Sequence, residues 1–313
     1  MTDPDDTTRS RPRRTGALSL TAAAGAAVLV AGAAIEMATG LLDGAVADTR
    51  REVRILLNLP KQWDVADRLP SAAGRAVVPC PTGRDPVVLA IGGQSNAANT
   101  NSSVAVRAPS AEVVTFHEGR CYASAEPMLG ATGGRGSLWP ALGDRLAAER
   151  GRPVVLLNGA VGGTEFTDWL DRRSGYLDAL EARIAQAASR GFAPDLILWH
   201  QGETDAVVSS GYRENLGKLQ RLTGELLDAA PGARLYLFRT SRCRRGQGGR
   251  PVEAMTRAQT HVAEADARIV AGMDTDALGD DFRWDGCHFN GRAREAIVEE
   301  VASDLLGLLD ERG

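Results

Sequence analysis

The stretch VVLAIGGQSN, from Val87 to Asn96, runs five aliphatic residues into two glycines and then into glutamine, serine and asparagine. An uninterrupted aliphatic run of that length reads as a strand buried on both faces, as in a parallel sheet covered by helices. Ligands of such sheets sit beyond the carboxyl ends of the strands. Ser95 therefore falls where a reactive group would be held out from the sheet, and an ordinary polar turn is the alternative. Further along come PVVLLNGA (Pro153 to Ala160), DLILWHQG (Asp195 to Gly202) and ARLYLFRT (Ala233 to Thr240), with a weaker run ARIVAGM (Ala267 to Met273). Helical patterns separate them: SLWPALGDRLAAER, YLDALEARIAQAASR, YRENLGKLQRLTGELLDAA and VEAMTRAQTHVAEADA. A last helix follows Asn290, a residue type suited to cap it. Strands alternating with helices predict an α/β domain with a mostly parallel, flavodoxin-like sheet of about five strands, covered on both faces. Residues Asn96 to Leu138 break the rhythm. They are rich in glycine and serine, hold one plausible strand, EVVTF, and are expected to form loops over the same sheet edge.

The bulk numbers fit a soluble domain and exclude some partners. Of 313 residues, 43% are hydrophobic and 24% charged, enough for a large core and a polar surface. The net charge of −4 gives no basic field to hold a phosphate backbone, so nucleic acid is not an expected partner. No repeat of 20–50 residues suggests a solenoid.

The N-terminus departs from this picture. Arg9, Arg11, Arg13 and Arg14 precede an uncharged stretch from Ala17 to Ile35, just long enough to cross a bilayer with its N-terminus in the cytoplasm. Competing readings are a signal peptide cleaved at Ala45-Val46-Ala47, a twin-arginine signal at Arg13-Arg14, and an alanine-rich soluble helix. The favoured organisation is a cytoplasmic tail over 1–15, a signal anchor or signal peptide over 16–42, a stalk over 43–84 with a short helix near Arg51 to Leu57, and a domain over 85–313 outside the cytoplasm, periplasmic or extracellular. The cysteines agree with export. Cys80, Cys121, Cys243 and Cys287 contain no Cys-x-x-Cys, so no zinc or thioredoxin-like motif is suggested, and an even count outside the cytosol reads as two disulfides. Three pairings are possible. Because loops after successive strands often meet, Cys243–Cys287 is expected, which leaves Cys80 for Cys121.

Polar residues follow every strand. After the first stands Ser95, after the second Gly162 and Gly163, after the third Gln201 and Glu203, after the fourth Arg242, Cys243, Arg244, Arg245 and Arg250, and after the fifth Asp285 and His288. These types suit acyl transfer. A serine needs a base to take its proton, and the base needs a carboxylate to fix its tautomer. Of four histidines, only His288 lies in a loop with an aspartate close in sequence, at a spacing that lets Asp285 reach one ring nitrogen. The backbone amides of Ser95 and Gly163 and the side-chain amide of Gln201 are the candidate oxyanion donors.

GQSN at Gly93 to Asn96, HQGETD at His200 to Asp205 and DGCHFN at Asp285 to Asn290 together resemble the SGNH-hydrolase superfamily. More narrowly, they resemble its sialate O-acetylesterase branch, which includes carbohydrate esterase family six. The resemblance runs from about Val87 to the C-terminus. It implies a three-layer α/β/α sandwich, a nucleophile at Ser95, a base at His288, its partner at Asp285, and an oxyanion glycine at Gly163 with Gly162 as competitor. Gln201 stands where the superfamily's third-block asparagine is expected, and Glu203 is a possible supporting acid or alternative partner of His288. No metal or organic cofactor is implied. The expected function is an exported, membrane-anchored esterase removing O-acetyl groups from a carbohydrate. Alternatives are an O-acetyltransferase on an extracytoplasmic glycan with the same triad, and a non-catalytic glycan-binding module. Gln94, Asn96, Arg242 and Arg244 are expected to touch substrate, the arginines through an acidic sugar's carboxylate. Oligomeric state is left open.

Overall fold

The computed structural model of the chain describes residues 68–83, 85–102, 112–208, 211–243 and 251–311. Among them, eight strands form one sheet: β1 (Val77–Val78), β2 (Val87–Gly93), β3 (Val113–His117), β4 (Arg120–Ala123), β5 (Val154–Asn158), β6 (Leu196–His200), β7 (Arg234–Arg239) and β8 (Ile269–Asp274). Their spatial order is β1-β4-β3-β5-β2-β6-β7-β8. The strands from β3 through β8 in that order pair in parallel, and β4 pairs antiparallel with both β3 and β1. The five strands read from the sequence thus form the flavodoxin-like order, with β2 at its inner position. The sheet is wider than the expected five because β3, β4 and β1 extend it at one edge.

Seven α-helices accompany it among the described residues: α1 (Trp139–Arg150), α2 (Phe166–Leu170), α3 (Tyr176–Ala188), α4 (Glu203–Val208), α5 (Tyr212–Ala229), α6 (Glu253–Ala265) and α7 (Gly291–Asp310). Side chains alternate across a strand, so an all-aliphatic strand feeds two cores. Val88, Ala90, Val155, Leu157, Ile197 and Trp199 face one core with Leu180 of α3, Leu222 of α5 and Val262 of α6. Val87, Leu89, Ile91, Leu156, Leu198 and Phe238 face the other with Trp139 and Leu142 of α1 and Ile297 and Val301 of α7. This is the three-layer α/β/α arrangement. The Asn290 side chain caps α7 by accepting from the Ala293 amide at 3.1 Å, as the sequence suggested.

Part of the expected stalk belongs to this domain. β1 pairs with β4, Cys80 is bonded to Cys121 with their Cα atoms 5.2 Å apart, and the Arg75 guanidinium donates to the Pro127 carbonyl at 2.7 Å. The expected membrane segment over 16–42 and the short helix near Arg51 lie outside the described residues. Among those described, no helix is long and apolar enough to cross a membrane.

Candidate active site

The chain steps from β2 to β5 on one side and later to β6 on the other, so the carboxyl end of β2 is the topological switch point where α/β sheets open a crevice. Its two glycines are dictated by β6. A Cβ on Gly92 would lie 2.5 Å from the Trp199 ring, and one on Gly93, at φ +120°, would lie 2.1 Å from the His200 carbonyl oxygen. Only glycine allows that approach. β2 therefore ends tightly against β6, and Ser95 begins a one-turn 3-10 helix, Ser95–Ala97, at the mouth of the crevice. The Ser95 carbonyl accepts from the Thr100 hydroxyl at 2.6 Å, which closes the turn.

Asp285 and His288 both come from the loop after β8. An antiparallel bridge between Arg283 and Phe289 closes the loop, and Gly286 turns it at φ +83°. Asp285 Oδ1 accepts from the amides of Cys287 at 3.0 Å and His288 at 2.8 Å, while Oδ2 lies 2.6 Å from His288 Nδ1. The carboxylate thus holds the proton on Nδ1 and leaves Nε2 on the far side of the ring. Burial pushes the Asp285 carboxyl up, but the hydrogen bonds from the His288 ring and the loop amides outweigh it and hold the group well below its ordinary range. Beneath the loop, the buried Arg283 guanidinium donates to the Cys287 carbonyl at 2.6 Å and the Thr275 carbonyl at 2.9 Å. Cys287 is bonded to Cys243, their Cα atoms 4.2 Å apart, so the pairing expected from adjacent strand ends is the one formed.

Asn96 joins the two loops. Its amide nitrogen donates to Glu203 Oε1 at 2.7 Å and to the Cys287 carbonyl at 3.3 Å, and its oxygen accepts from the Phe289 amide at 3.2 Å. One side chain, next to Ser95 in sequence, grips the backbone on both sides of His288. Being 3% exposed, it holds the loops together and presents little surface to a substrate, contrary to the sequence expectation. Gln94 departs from that expectation in the same way. It is 1% exposed and its Oε1 accepts from the Thr204 amide at 3.2 Å.

Other expected site residues divide similarly. Gly162 packs against Ser95, since a Cβ there would lie 3.4 Å from Ser95 Cβ, but its amide is committed to the Thr132 hydroxyl at 2.8 Å. Gly163 follows at φ +77° on the exposed edge. Gln201 is fully buried and its amide nitrogen donates to the Thr164 carbonyl at 3.2 Å and to Asp205 Oδ2 at 3.1 Å. Both amide hydrogens are engaged, so Gln201 supports the β6 loop and offers none to an oxyanion in this arrangement. Glu203 is 1% exposed, bound to Asn96, and 3.6 Å from His200 Nδ1, with Oε2 unpartnered among the described residues. Burial pushes its carboxyl up, against the Asn96 hydrogen bond. The His288 ring has its carboxylate from Asp285. Arg242 Nη2 is paired with Asp280 at 3.0 Å, its Nε is buried with no hydrogen-bond partner among the described residues, and Arg244 lies outside the described residues together with Arg245 and Arg250. Among the described residues no three His, Cys, Asp or Glu side chains gather closely enough to hold a metal ion.

The family model for carbohydrate esterases described as sialic acid-specific acetylesterases matches residues 87–306, which spans β2 through β8, the loops bearing Ser95 and His288, and most of α7. The chain belongs to this family. It is a carboxylic ester hydrolase of the carbohydrate O-acetylesterase type. No curated protein matches this esterase in sequence. Among solved structures, a protein from Arabidopsis thaliana aligns at TM-score 0.60 with 18% identity, covering 71% of this chain and 98% of its own. NanS aligns at TM-score 0.53 with 14% identity, covering 75% of this chain and all of its own. Both share the fold. Sequence reading of the esterase missed the clip at Asn96, the Arg283 support and Thr132. Each acts through contacts between segments far apart in the chain, which spacing does not reveal.

Proposed function

We propose that this esterase removes O-acetyl groups from a carbohydrate by a Ser-His-Asp mechanism, outside the cytoplasm and tethered through its N-terminal segment. The observation that carries the mechanism is the double linkage at the crevice. Asp285 sits 2.6 Å from His288 Nδ1, and Asn96, beside Ser95, binds the backbone on both sides of His288. In this reading His288 Nε2 takes the Ser95 hydroxyl proton as Oγ attacks the acetyl carbonyl carbon. The negative charge formed on the carbonyl oxygen is met by the Ser95 and Gly163 amides. Collapse breaks the bond to the sugar oxygen, which leaves with the proton from His288. Water then enters, gives a proton to His288 as its oxygen attacks the acetyl-serine, and acetate departs with Ser95 restored. The Asp285 carboxylate steadies the imidazolium in both halves and stays ionised throughout.

Export is supported by the two disulfides, which suit an oxidising compartment. The tether rests on the uncharged stretch from Ala17 to Ile35 after four arginines. The chemistry is tested by acetate release from an aryl acetate and from a panel of O-acetylated glycans. Wild-type protein should cleave the aryl ester and at least one glycan, and Ser95→Ala and His288→Ala should lose nearly all of both activities. Retention of most of the rate by Ser95→Ala would assign the nucleophile elsewhere. Full-length protein should resist extraction from membranes by carbonate; recovery of a shortened, soluble exported chain would replace the anchor by a cleaved signal.

A further inference from the structure

Trp284 is 43% exposed, although every other described tryptophan is essentially buried. It is nonetheless fixed firmly. Its indole N–H donates to the Thr100 carbonyl at 3.1 Å, its backbone amide donates to the His288 carbonyl at 3.0 Å, and Thr100 in turn closes the Ser95 turn. The indole lies alongside the His288 ring, centroids 6.0 Å apart and planes 26° from parallel. The Arg135 guanidinium rests on the same indole, 4.6 Å from its centroid.

Arg135 comes from a glycine-rich loop bound to the nucleophile loop, its amide donating to the Asn99 carbonyl at 3.1 Å and the Gly136 amide to the Asn101 carbonyl at 3.1 Å. The side chain is exposed, and among the described residues its guanidinium meets no carboxylate. Arg242, by contrast, is neutralised by Asp280, and Arg294 is held 3.3 Å from Glu126. A guanidinium supported by an aromatic ring is a cation held in one place with its edge donors still available. Those donors match a carboxylate, which they can bind in a two-pronged fashion.

We propose that Arg135, positioned by Trp284 at the rim beside His288, is the residue that reads a negative charge on the acetylated substrate. Arg135 determines specificity by binding a sugar carboxylate. Trp284 is a positioning residue that holds the guanidinium on the same indole that lies alongside His288, so that one substrate can meet both. The assignment rests on the esterase reading above. It moves the carboxylate-binding role from the loop after β7, where the sequence suggested it, to the loop before α1.

The test compares two substrates that differ only in charge: an O-acetylated glucuronic acid glycoside and the corresponding uronamide, with acetate release measured for each. For wild type, kcat/KM should favour the acid by about tenfold at low salt, as for one charge-assisted contact at an exposed rim. The preference should shrink at about 0.5 M salt. Arg135→Gln should bring the ratio near one, mainly by raising KM for the acid. Arg135→Lys should keep part of the preference, and Trp284→Phe should keep more of it than Trp284→Ala. A wild-type ratio near one, no cleavage of either sugar ester by protein that cleaves an aryl acetate, or an undiminished ratio in Arg135→Gln overturns the assignment. Wild-type protein that fails on the aryl acetate as well overturns the esterase reading, and the assignment with it.

Discussion

Replacing Asn96 by alanine separates two roles that this residue could have. As a substrate contact, its loss would raise KM and leave the fold intact. As the clip between the serine and histidine loops, its loss strikes both stability and turnover. Glu203 Oε1 would lose its 2.7 Å donor and remain buried, and the Phe289 amide would lose its 3.2 Å acceptor. The Cys287 carbonyl would keep its 2.6 Å bond from Arg283, so it adds little to the cost. Two buried polar groups left unsatisfied cost about 1–3 kcal/mol each, and water entering the space left by the side chain recovers some of that. The expected destabilisation is about 2–4 kcal/mol. Turnover should fall about a hundredfold, the usual consequence of about 1 Å of freedom between a nucleophile and its base. Asn96→Asp should be worse, because it sets a second carboxylate against the buried Glu203. Urea unfolding followed by tryptophan fluorescence gives the first quantity, and steady-state hydrolysis of an aryl acetate gives the second. An Asn96→Ala protein within about 0.5 kcal/mol of wild type, with kcat unchanged and KM raised, would refute the reasoning and restore the substrate-contact role.

Asp285→Asn should lower kcat by about 10³–10⁴-fold because the amide favours the wrong imidazole tautomer, whereas Glu203→Gln should cost less than about tenfold, since burial already favours a neutral side chain there. The reverse ranking in aryl acetate kinetics would make Glu203 the acid partner. Removing the Cys243–Cys287 bond by a double serine substitution should destabilise by about 2–4 kcal/mol and also lower kcat, because Cys287 adjoins His288. Removing Cys80–Cys121, at the far edge of the sheet, should destabilise with kcat preserved, and equal kcat losses would count against this division. Burial raises the folded-state Asp205 carboxyl to about 7, above its unfolded value, so the native state binds the extra proton and stability should fall as pH rises from about 4 to about 7. Urea midpoints of Asp205→Asn across that window should fall less steeply than those of wild type; identical slopes would mean that Asp205 does not titrate there.

The three central strands β2, β5 and β6 were legible because a strand facing two cores must be apolar, and Val87–Ile91, Val154–Leu157 and Leu196–Leu198 are aliphatic throughout. The short strands β1 and β4 were not. β1 is two residues long and β4 reads RCYA, too short for a period to emerge. Asp285, His288 and the Cys243–Cys287 pair were visible because each depends on local spacing or on neighbouring strand ends. The contacts of Gln201 were hidden for the opposite reason: its side chain turns to Asp205 and Thr164, and which way an amide turns is settled only by packing. Arg135 gave no signal at all, since it lies about 150 residues from the Trp284 ring it rests on.

The central claim is that Ser95 is the nucleophile and that His288 activates it. It is tested most directly by treating the protein with a fluorophosphonate, which bonds to an activated serine, and mapping the modified peptide by mass spectrometry. The adduct should sit on Ser95, be absent from Ser95→Ala, and form far more slowly in His288→Ala. An adduct on another residue, or labelling of Ser95→Ala at the wild-type rate, would contradict the account.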